Sequence, residues 1–353
     1  MWMLIACAPN VTNETDTRDV APKDDTAATT DTGDECTGGY AGLFDEVWDV
    51  FQATYPYFEL KGVDWHAQRA ACRPDMCDPD TTYRKFVNQG MDCLLSPLAD
   101  YHSYVIDTDD EAHGYGLDDY TRNYDDALSD TYLEGGGTTF GETGHVVAGT
   151  LLGTNHLYVR VESWSDVDDV DFGDVLALLP EADGYVVDVR GNSGGNESVA
   201  QRLGGRLVGN GGVPYAWAQY RDEQDGDPYT YEMTDPAGIA IDDVYANLAV
   251  EPRPIALLLG EKCMSSCEGF VSMLVNSTLT RSFGATTRGS TGNPTQAELS
   301  DGTIVSVSRW YLTRADGVTP VEWHGIPPDE DVDFTGEERD EVLEAALAWL
   351  AGQ

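Results

Sequence analysis

The sequence predicts an α/β fold, and three observations carry the prediction. Two compact apolar runs, residues 185–189 and 255–259, each lead into a turn of small residues and then into a segment with helical spacing. Apolar runs of this kind are typical of strands buried in a sheet that is covered by helices on both faces. The same alternation of strand and helix continues through the second half of the chain. With 353 residues, 41% of them hydrophobic, the chain is long enough to bury a large core.

The elements follow in order along the chain. Apolar residues recur at helical spacing over 43–51 and again over 83–95, so the region before residue 100 is predicted to be helical. Residues 106–145 are acidic and rich in glycine, and the three glycines at 135–137 indicate a loop. The later part alternates between strands predicted at 146–147, 157–161, 185–189, 255–259 and 304–312 and helices predicted at 172–179, 198–207, 267–275 and 342–350.

The charge of the chain excludes several classes of partner. There are 20 Lys and Arg residues against 63 Asp and Glu residues, which gives a net charge of −43 at pH 7. The phosphates of nucleic acids and the anionic surface of a membrane would be repelled. No run of about 18 apolar residues is present, so no transmembrane helix is predicted. The acidity indicates a solvated, salt-tolerant surface.

The first residues suggest export. The segment Leu4–Cys7 is similar to a bacterial lipobox, in which the cysteine becomes the lipid-bearing N-terminus. We predict a truncated lipoprotein signal at residues 1–7 and a possible lipid anchor at Cys7. Residues 8–38 are rich in Thr, Asp and Asn and poor in large apolar side chains, so they are predicted to be a disordered acidic linker. The expected location is the cell envelope, in the periplasm or on the outer surface.

The other six cysteines form an even set, which in an exported protein suggests disulfides. Cys72 with Cys77, and Cys263 with Cys267, are close enough in sequence to pair locally. Six cysteines allow 15 connectivities, so the sequence leaves the pairing open. A zinc site is the alternative, but histidine is scarce and no pair of cysteines has the usual two-residue spacing.

Two strand–turn–helix junctions carry candidate chemistry. The first runs from Asp188 to Asn196 and is rich in glycine, so its backbone N–H groups can approach a substrate and hold an oxyanion. It lacks the Lys and Ser/Thr that a phosphate-binding loop requires. The second places Ser265 and Ser266 at the start of a predicted helix, where the helix dipole favours developing negative charge. A serine there suits a nucleophile, although it also suits a simple helix cap.

These junctions and three further segments resemble one family of serine peptidases. The family includes the C-terminal-processing (tail-specific) proteases, the tricorn protease core and the interphotoreceptor retinoid-binding protein modules, and the resemblance covers roughly residues 40–350. The segment 265–268 resembles the motif Ser-Ala-x-Glu, whose first serine is the nucleophile, and 322–329 resembles Glu-Gly-x-Gly-Ile-x-Pro-Asp. The other matching segments are 98–103, 188–195, 284–289 and the Asp-Gly pair at 301–302.

The resemblance implies a ClpP/crotonase-like core over residues 106–353, preceded by a small helical subdomain over 39–105. It also implies a serine endopeptidase that acts on peptides or proteins and needs no metal or organic cofactor. In the processing branch a lysine about 25 positions after the nucleophile is the base, but this chain has Ser290 there and no lysine after Lys262. The tricorn-like branch implies His102 as the base and Glu322 as the orienting group.

The family logic completes the predicted site. Ser265 is expected to attack the substrate, and the N–H groups of Ser266 and of Gly194 or Gly195 are expected to hold the oxyanion. Glu322 is expected to act on the imidazole directly or through a hydroxyl or a water.

Some positions depart from the tricorn-like pattern. Tyr101 stands where a serine precedes the histidine, so Ser103 is a possible substitute. His324, two residues after Glu322, is the alternative candidate for the general base. No peptide-binding PDZ insert is recognisable between residues 105 and 180.

Two other functions remain open from the sequence. One is a catalytically inactive ligand- or peptide-binding module on the same fold. The other is a crotonase-type enzyme that acts on acyl-CoA, which the net charge of −43 disfavours because the cofactor is anionic. The oligomeric state and the natural substrate cannot be read from the sequence.

Overall fold

A computed structural model describes residue 36 and residues 38–116, 120–141, 143–165, 169–223 and 231–353. The predicted signal at 1–7 and all of the predicted linker at 8–38 except Cys36 and Gly38 lie outside these residues. Within the described residues, no helix combines the length and the apolar character needed to cross a bilayer.

The N-terminal part is helical, as the apolar periodicity predicted. Its helices are α1 (Ala41–Thr54), α2 (Trp65–Cys72), α3 (Tyr83–Lys85) and α4 (Met91–Leu95), with a π-helical turn at Phe86–Gly90 that joins the last two. Asp64 caps α2 by accepting a hydrogen bond from the N–H of Ala67 at 2.9 Å. The apolar faces of these helices form one buried cluster, which fixes the orientation of the chain that leads to His102.

A seven-stranded sheet forms the centre of the described structure. Its order is β15-β11-β10-β6-β5-β4-β3, and the pairs from β5 to β15 are parallel while β3, β4 and β5 are antiparallel neighbours. The strands are β3 (Thr138–Phe140), β4 (Val146–Thr150), β5 (His156–Val161), β6 (Gly184–Asp188), β10 (Ile255–Leu259), β11 (Thr280–Gly284) and β15 (Glu330–Asp331).

Helices cover this sheet on both faces. One face packs against α7 (Glu197–Val208) and α9 (Ser266–Val275), and the other packs against α10 (Glu341–Leu350). All residues of β6 and β10 are buried, which explains why both strands read as continuous apolar runs. The remaining helices are α5 (Asp126–Asp130), α6 (Asp169–Leu178) and α8 (Asp243–Ala246). The α/β fold predicted from the sequence is confirmed.

Two smaller sheets flank the core. One has the order β12-β13-β1-β2, and the other has the order β14-β7-β8 with β9 also paired to β7. Their strands are β1 (Tyr104–Ile106), β2 (Ala112–Gly114), β7 (Pro214–Glu223), β8 (Tyr231–Met233), β9 (Ala237–Ala240), β12 (Thr295–Glu298), β13 (Ile304–Val307) and β14 (Trp310–Arg314).

The single strand predicted over 304–312 is wrong, because the segment forms two strands. Ser308 and Arg309 separate β13 from β14, and the two strands join different sheets. The N–H of Arg309 donates to the carbonyl of Gly292 at 2.9 Å, so the pairing of β13 with its neighbouring strands ends here. The apolar pattern does not show this change of partner.

The boundary predicted between residues 105 and 106 falls inside β1, which pairs with β13. The apolar cluster of the N-terminal helices also includes Val305 and Val307 from β13. The two parts therefore share a core, and the division into 39–105 and 106–353 stays a prediction.

The cysteines of the described part lie in three pairs at bonding distance, Cys36–Cys77, Cys72–Cys93 and Cys263–Cys267. Cys72 and Cys77, whose local pairing the sequence left open, thus belong to different pairs.

Candidate active site

Two loops meet at one edge of the central sheet and define the candidate site. They follow β6 and β10, which are parallel neighbours with Leu258 opposite Asp188, so both strands end at the same edge. In open α/β sheets, ligands bind outside the carboxyl ends of the strands. The first loop carries Gly194 and Gly195, and the second carries Ser265.

Ser265 has an unusual backbone conformation. Its φ is 57° and its ψ is −129°, although residues with side chains rarely adopt positive φ. The conformation is held by the N–H of Ser265, which donates to the carbonyl of Ser290 at 2.7 Å, and by the pairing of Cys263 with Cys267 on either side. Strain of this kind clusters at functional sites. The hydroxyl thus stands at the N-terminus of α9, on a half-buried residue.

The glycine loop touches the serine directly. A Cβ built on Gly194 would lie 2.7 Å from the Cβ of Ser265 and 3.2 Å from the backbone nitrogen of Ser266, so only glycine fits here. The Ser266 hydroxyl donates to the carbonyl of Gly195 at 2.7 Å and ties the loops together. The N–H of Gly194 already donates to the Asn192 side chain at 2.7 Å. The Ser266 N–H, in the first turn of α9, is therefore the better placed of these two predicted donors.

His102 is buried and held from several sides. The Asp100 side chain accepts hydrogen bonds from the His102 backbone N–H at 2.8 Å and from the Ser103 hydroxyl at 3.0 Å. The Ser290 hydroxyl lies 2.8 Å from Nδ1 of the ring. Burial lowers the pKa of His102; the charge of Asp100 opposes this shift and that of Lys61 adds to it. The lowered pKa favours a neutral imidazole at neutral pH.

Ser290 connects the predicted base and the predicted nucleophile. Its hydroxyl contacts His102, and its carbonyl accepts the hydrogen bond from the backbone of Ser265. No hydrogen bond joins the Ser265 hydroxyl to His102 among the described residues. In structures without substrate, such contacts are often long and shorten only in the complex.

Glu268 positions Ser290. This fully buried carboxylate accepts hydrogen bonds from the Thr287 hydroxyl at 2.6 Å and from the backbone N–H groups of Gly289 at 2.7 Å and Ser290 at 2.9 Å. Burial raises the pKa of Glu268 to about 7, and the three hydrogen bonds oppose that shift. The glutamate of the Ser-x-x-Glu motif therefore lies one turn after Ser265 on α9 and fixes the loop that faces it.

Glu322 lies in a buried ionic cluster rather than on the imidazole. Its Oε1 is 2.7 Å from Nζ of Lys61, and both side chains are 1% exposed. Its Oε2 accepts the N–H of Thr291 at 3.1 Å. Burial, and then the neighbouring charge of Asp100, raise the pKa of Glu322 to about 8, while Lys61 lowers it. Glu322 and His102 are thus linked through the consecutive residues 290 and 291.

The other predicted participants have different partners. Ser103 donates to Asp100 and not to His102, so it does not take the place of the missing serine at 101. The Tyr101 ring instead packs 4.2 Å from the guanidinium of Arg288. His324, the rival base, contacts the carbonyl of Glu322 through Nδ1 at 3.0 Å.

A buried ion cluster supports the glycine loop from below. Arg190 is fully buried and makes ion pairs with Asp188 at 2.6 Å and with Asp340 at 2.7 Å. Burial opposes the ionisation of Asp188, but the charge and hydrogen bonds of Arg190 outweigh it and lower the pKa of Asp188. Asp340 and Lys61 were not predicted from the sequence, because each lies far along the chain from its partner and belongs to none of the motifs named above.

One group of possible metal ligands is present in the described part of the chain, formed by Asp107, Glu111 and His113. The Asp107 carboxylate accepts hydrogen bonds from the backbone of Asp109 and Glu111 and contacts His113 at 2.7 Å. These contacts account for the cluster as the turn between β1 and β2.

Comparison with known proteins identifies the family of the chain. The sequence model of Peptidase family S41 matches residues 155–332, half of the chain. The chain belongs to this family, and the resemblance drawn from the motifs is confirmed. No curated protein sequence matches the chain.

Solved structures show the same fold. A candidate peptidase from Parabacteroides merdae is 24% identical, with a TM-score of 0.74, over 87% of this chain and 95% of that one. A lipoprotein from Streptococcus agalactiae is 16% identical, with a TM-score of 0.58, over 89% and 96% of the two chains. Mature CPAF is 12% identical, with a TM-score of 0.57, over 90% and 96%.

Proposed function

We propose that this protein is an active serine endopeptidase, with Ser265 as nucleophile and His102 as general base. The observation that carries the proposal is the double contact of Ser290. Its carbonyl holds the backbone of Ser265 at 2.7 Å, and its hydroxyl holds Nδ1 of His102 at 2.8 Å. The proposed nucleophile and the proposed base are thus both anchored to the same residue, which supports an approach of the Ser265 hydroxyl to His102 when substrate binds.

In the acylation step, Nδ1–H of His102 donates to the Ser290 hydroxyl, which leaves the lone pair of Nε2 for Ser265. The Ser265 oxygen attacks the peptide carbonyl carbon while its proton moves to Nε2, and the carbonyl oxygen becomes an oxyanion. When the carbon–nitrogen bond breaks, Nε2 gives the proton to the leaving amine. Water then cleaves the acyl-enzyme by the same sequence with the same base.

Charge in this step is balanced by fixed groups. The Ser266 N–H at the start of α9 is the proposed oxyanion donor, aided by the helix dipole, and losing one such donor typically costs ~10²–10³ in rate. The second proposed donor is Gly194 or Gly195, and Gly194 would have to release Asn192 to contribute. The imidazolium formed by His102 is stabilised by the buried charge of Asp100. Glu322 contributes indirectly, because it accepts the N–H of Thr291, the residue after Ser290.

A fluorophosphonate probe tests the proposal, because it reacts only with an activated serine. The wild-type protein should be labelled, and Ser265→Ala should abolish labelling together with the cleavage of internally quenched peptides. Ser198→Ala, which changes an exposed serine at the start of α7, is the matched control and should leave both readouts intact.

Absence of labelling in the wild type would overturn the proposal and favour the inactive binding module on the same fold. Labelling that survives in Ser265→Ala would assign the reaction to another serine. His102→Ala should slow labelling without unfolding the protein, which circular dichroism checks.

We also propose that the protein is exported and anchored by lipid at Cys7. The three cysteine pairs support an oxidising compartment. The likeness in fold to a lipoprotein from Streptococcus agalactiae agrees with this location. A clickable fatty acid should label the wild type and not Cys7→Ser, and equal labelling of both would contradict the anchor.

A further inference from the structure

Trp323 combines two properties that are rarely found together. Its φ is 68°, in the left-handed region, and its side chain is 56% exposed. A bulky side chain in that region is an outlier and costs stability. Exposure means that little burial offsets the strain. The motif that 322–329 resembles has glycine at this position, which would adopt the same backbone freely.

The backbone around Trp323 cannot relax. Its N–H donates to the carbonyl of Gly289 at 2.7 Å, and the N–H groups of His324 and Gly325 both donate to the carbonyl of Val321, at 3.1 and 2.8 Å. The turn presses on the neighbouring loop so closely that a Cβ on Gly289 would lie 2.6 Å from the nitrogen of Gly325. The strain is therefore imposed by the architecture, and the indole remains outside the packed core.

This turn lies at the edge of the candidate active site. Glu322, directly before Trp323, is buried in the cluster with Lys61. Gly289, to which Trp323 is bonded, directly precedes Ser290, which contacts both Ser265 and His102. The indole is thus fixed by its backbone to the loop that organises the nucleophile and the base.

Two tyrosine rings, Tyr101 and Tyr115, pack together next to the loop that Trp323 contacts. Tyr101 directly precedes His102, and its half-buried ring packs on Arg288, which directly precedes Gly289. Tyr115, 38% exposed, packs edge-on against Tyr101 with ring centroids 5.4 Å apart. The exposed parts of these rings offer an apolar contact to a bound peptide.

We propose that Trp323 is a specificity-determining residue whose indole packs against an aromatic or large apolar side chain of the substrate, close to the bond that is cleaved. The inference rests on the proposed peptidase function and adds a substrate class to it. The strained backbone holds the Trp323 indole exposed at the edge of the candidate active site, where a bound peptide can cover it. Burial of a matching side chain then supplies the discrimination between substrates.

The test uses internally quenched peptides that carry a single Phe or a single Ser at successive positions of an otherwise constant sequence. The wild type should cleave the Phe peptide with kcat/KM about tenfold higher at one position. In Trp323→Gly and Trp323→Ala this ratio should fall towards one, and in Trp323→Phe it should persist. Leu152→Gly, at a 58% exposed leucine between β4 and β5, should leave the ratio unchanged.

Thermal stability separates this role from a structural one. Trp323→Gly relieves the strain, so its Tm should equal or exceed that of the wild type, whereas Trp323→Ala retains the strain and should not gain. A Phe preference that survives in Trp323→Gly, or a lower Tm in that variant, would overturn the inference. A wild type that reacts with the fluorophosphonate but shows no Phe preference refutes this inference alone, whereas a wild type that does not react refutes the peptidase proposal as well.

Discussion

Replacing Lys61 by methionine removes the cation of the buried ion pair and keeps the length of the side chain. Nζ of Lys61 lies 2.7 Å from Glu322 and also donates to the carbonyl of Ala99 at 3.2 Å. Asp100 adds a second buried carboxylate whose pKa is lowered by Lys61 against the effect of burial. Lys61→Met therefore leaves two carboxyl groups in a dry site without a nearby cation.

The expected loss of stability follows from the burial of the pair. Removing one partner of a buried ion pair typically costs about 3–5 kcal/mol, because the remaining charge is uncompensated. Glu322 limits the loss, because a carboxyl group whose pKa is about 8 is mostly protonated at neutral pH and leaves little uncompensated charge behind. We expect about 3 kcal/mol, which corresponds to a Tm lower by roughly 4 °C for a chain of this length.

Differential scanning calorimetry and a pH profile of fluorophosphonate labelling measure the effect. If ionised Glu322 assists His102, the limb of the profile near pH 8 should move to higher pH in Lys61→Met. Lys85→Met is the matched control, because this lysine makes only an exposed contact with the carbonyl of Asp75, and its effect should stay within about 0.5 kcal/mol. Adding Glu322→Gln to Lys61→Met should recover part of the lost stability.

A Lys61→Met variant with wild-type Tm and an unshifted pH profile would refute this reasoning. That result would mean that Glu322 and Asp100 are solvated in solution and that the cluster does not act on the histidine.

Three further predictions concern the loops of the site. Ser290→Ala should lower kcat about 10²-fold with little change in KM, because the imidazole loses its partner at Nδ1. Ser290→Thr should retain activity, and equal kinetics of the wild type and both variants would argue against the contact. The free energy of unfolding, measured with urea, should fall as pH rises from 5 to 8, because the folded pKa of Glu322 (about 8) exceeds its ordinary value of 4.5, so its stabilising contribution is complete below pH 4.5 and is lost as pH rises through 8. Glu268, whose pKa is raised to about 7, contributes a slope of the same sign. Glu322→Gln should therefore flatten the slope in part, and an unchanged slope would contradict the raised pKa of Glu322. Gly194→Ala should lower the free energy of unfolding by about 1–3 kcal/mol and abolish labelling, because its Cβ would lie 2.7 Å from that of Ser265. Gly212→Ala is the control, because at φ 71° and in open space it tests backbone strain alone. Equal effects of the two substitutions would exclude the steric explanation.

The central sheet could be predicted from the sequence because its signal is local. The runs that became β6 and β10 are buried at every position and apolar except at Gly184 and Asp188, the two ends of β6. The capped helices that follow them were predicted to within a residue at each end. The break between β13 and β14 was missed, although two consecutive polar residues, Ser308 and Arg309, mark it, because a short polar interruption does not show that the chain changes its partner strand.

The candidate site was predicted only in part, because its motifs name residues but not their partners. Ser290 was noted as the residue that replaces a lysine, and its contact with His102 depends on 188 residues of intervening chain. The pairing of Lys61 with Glu322 spans 261 residues and has no periodic signal. The strain at Ser265 and Trp323 appears only in the backbone angles.

The distribution of the site along the chain bears on when the protein can act. His102 and Lys61 are synthesised early, whereas Ser265, Ser290 and Glu322 come much later, and α10 beyond them packs on the central sheet. An incompletely synthesised chain thus contains the proposed base but not yet the proposed nucleophile. If the proposed chemistry is correct, the polypeptide cannot hydrolyse neighbouring proteins until the last helix has docked.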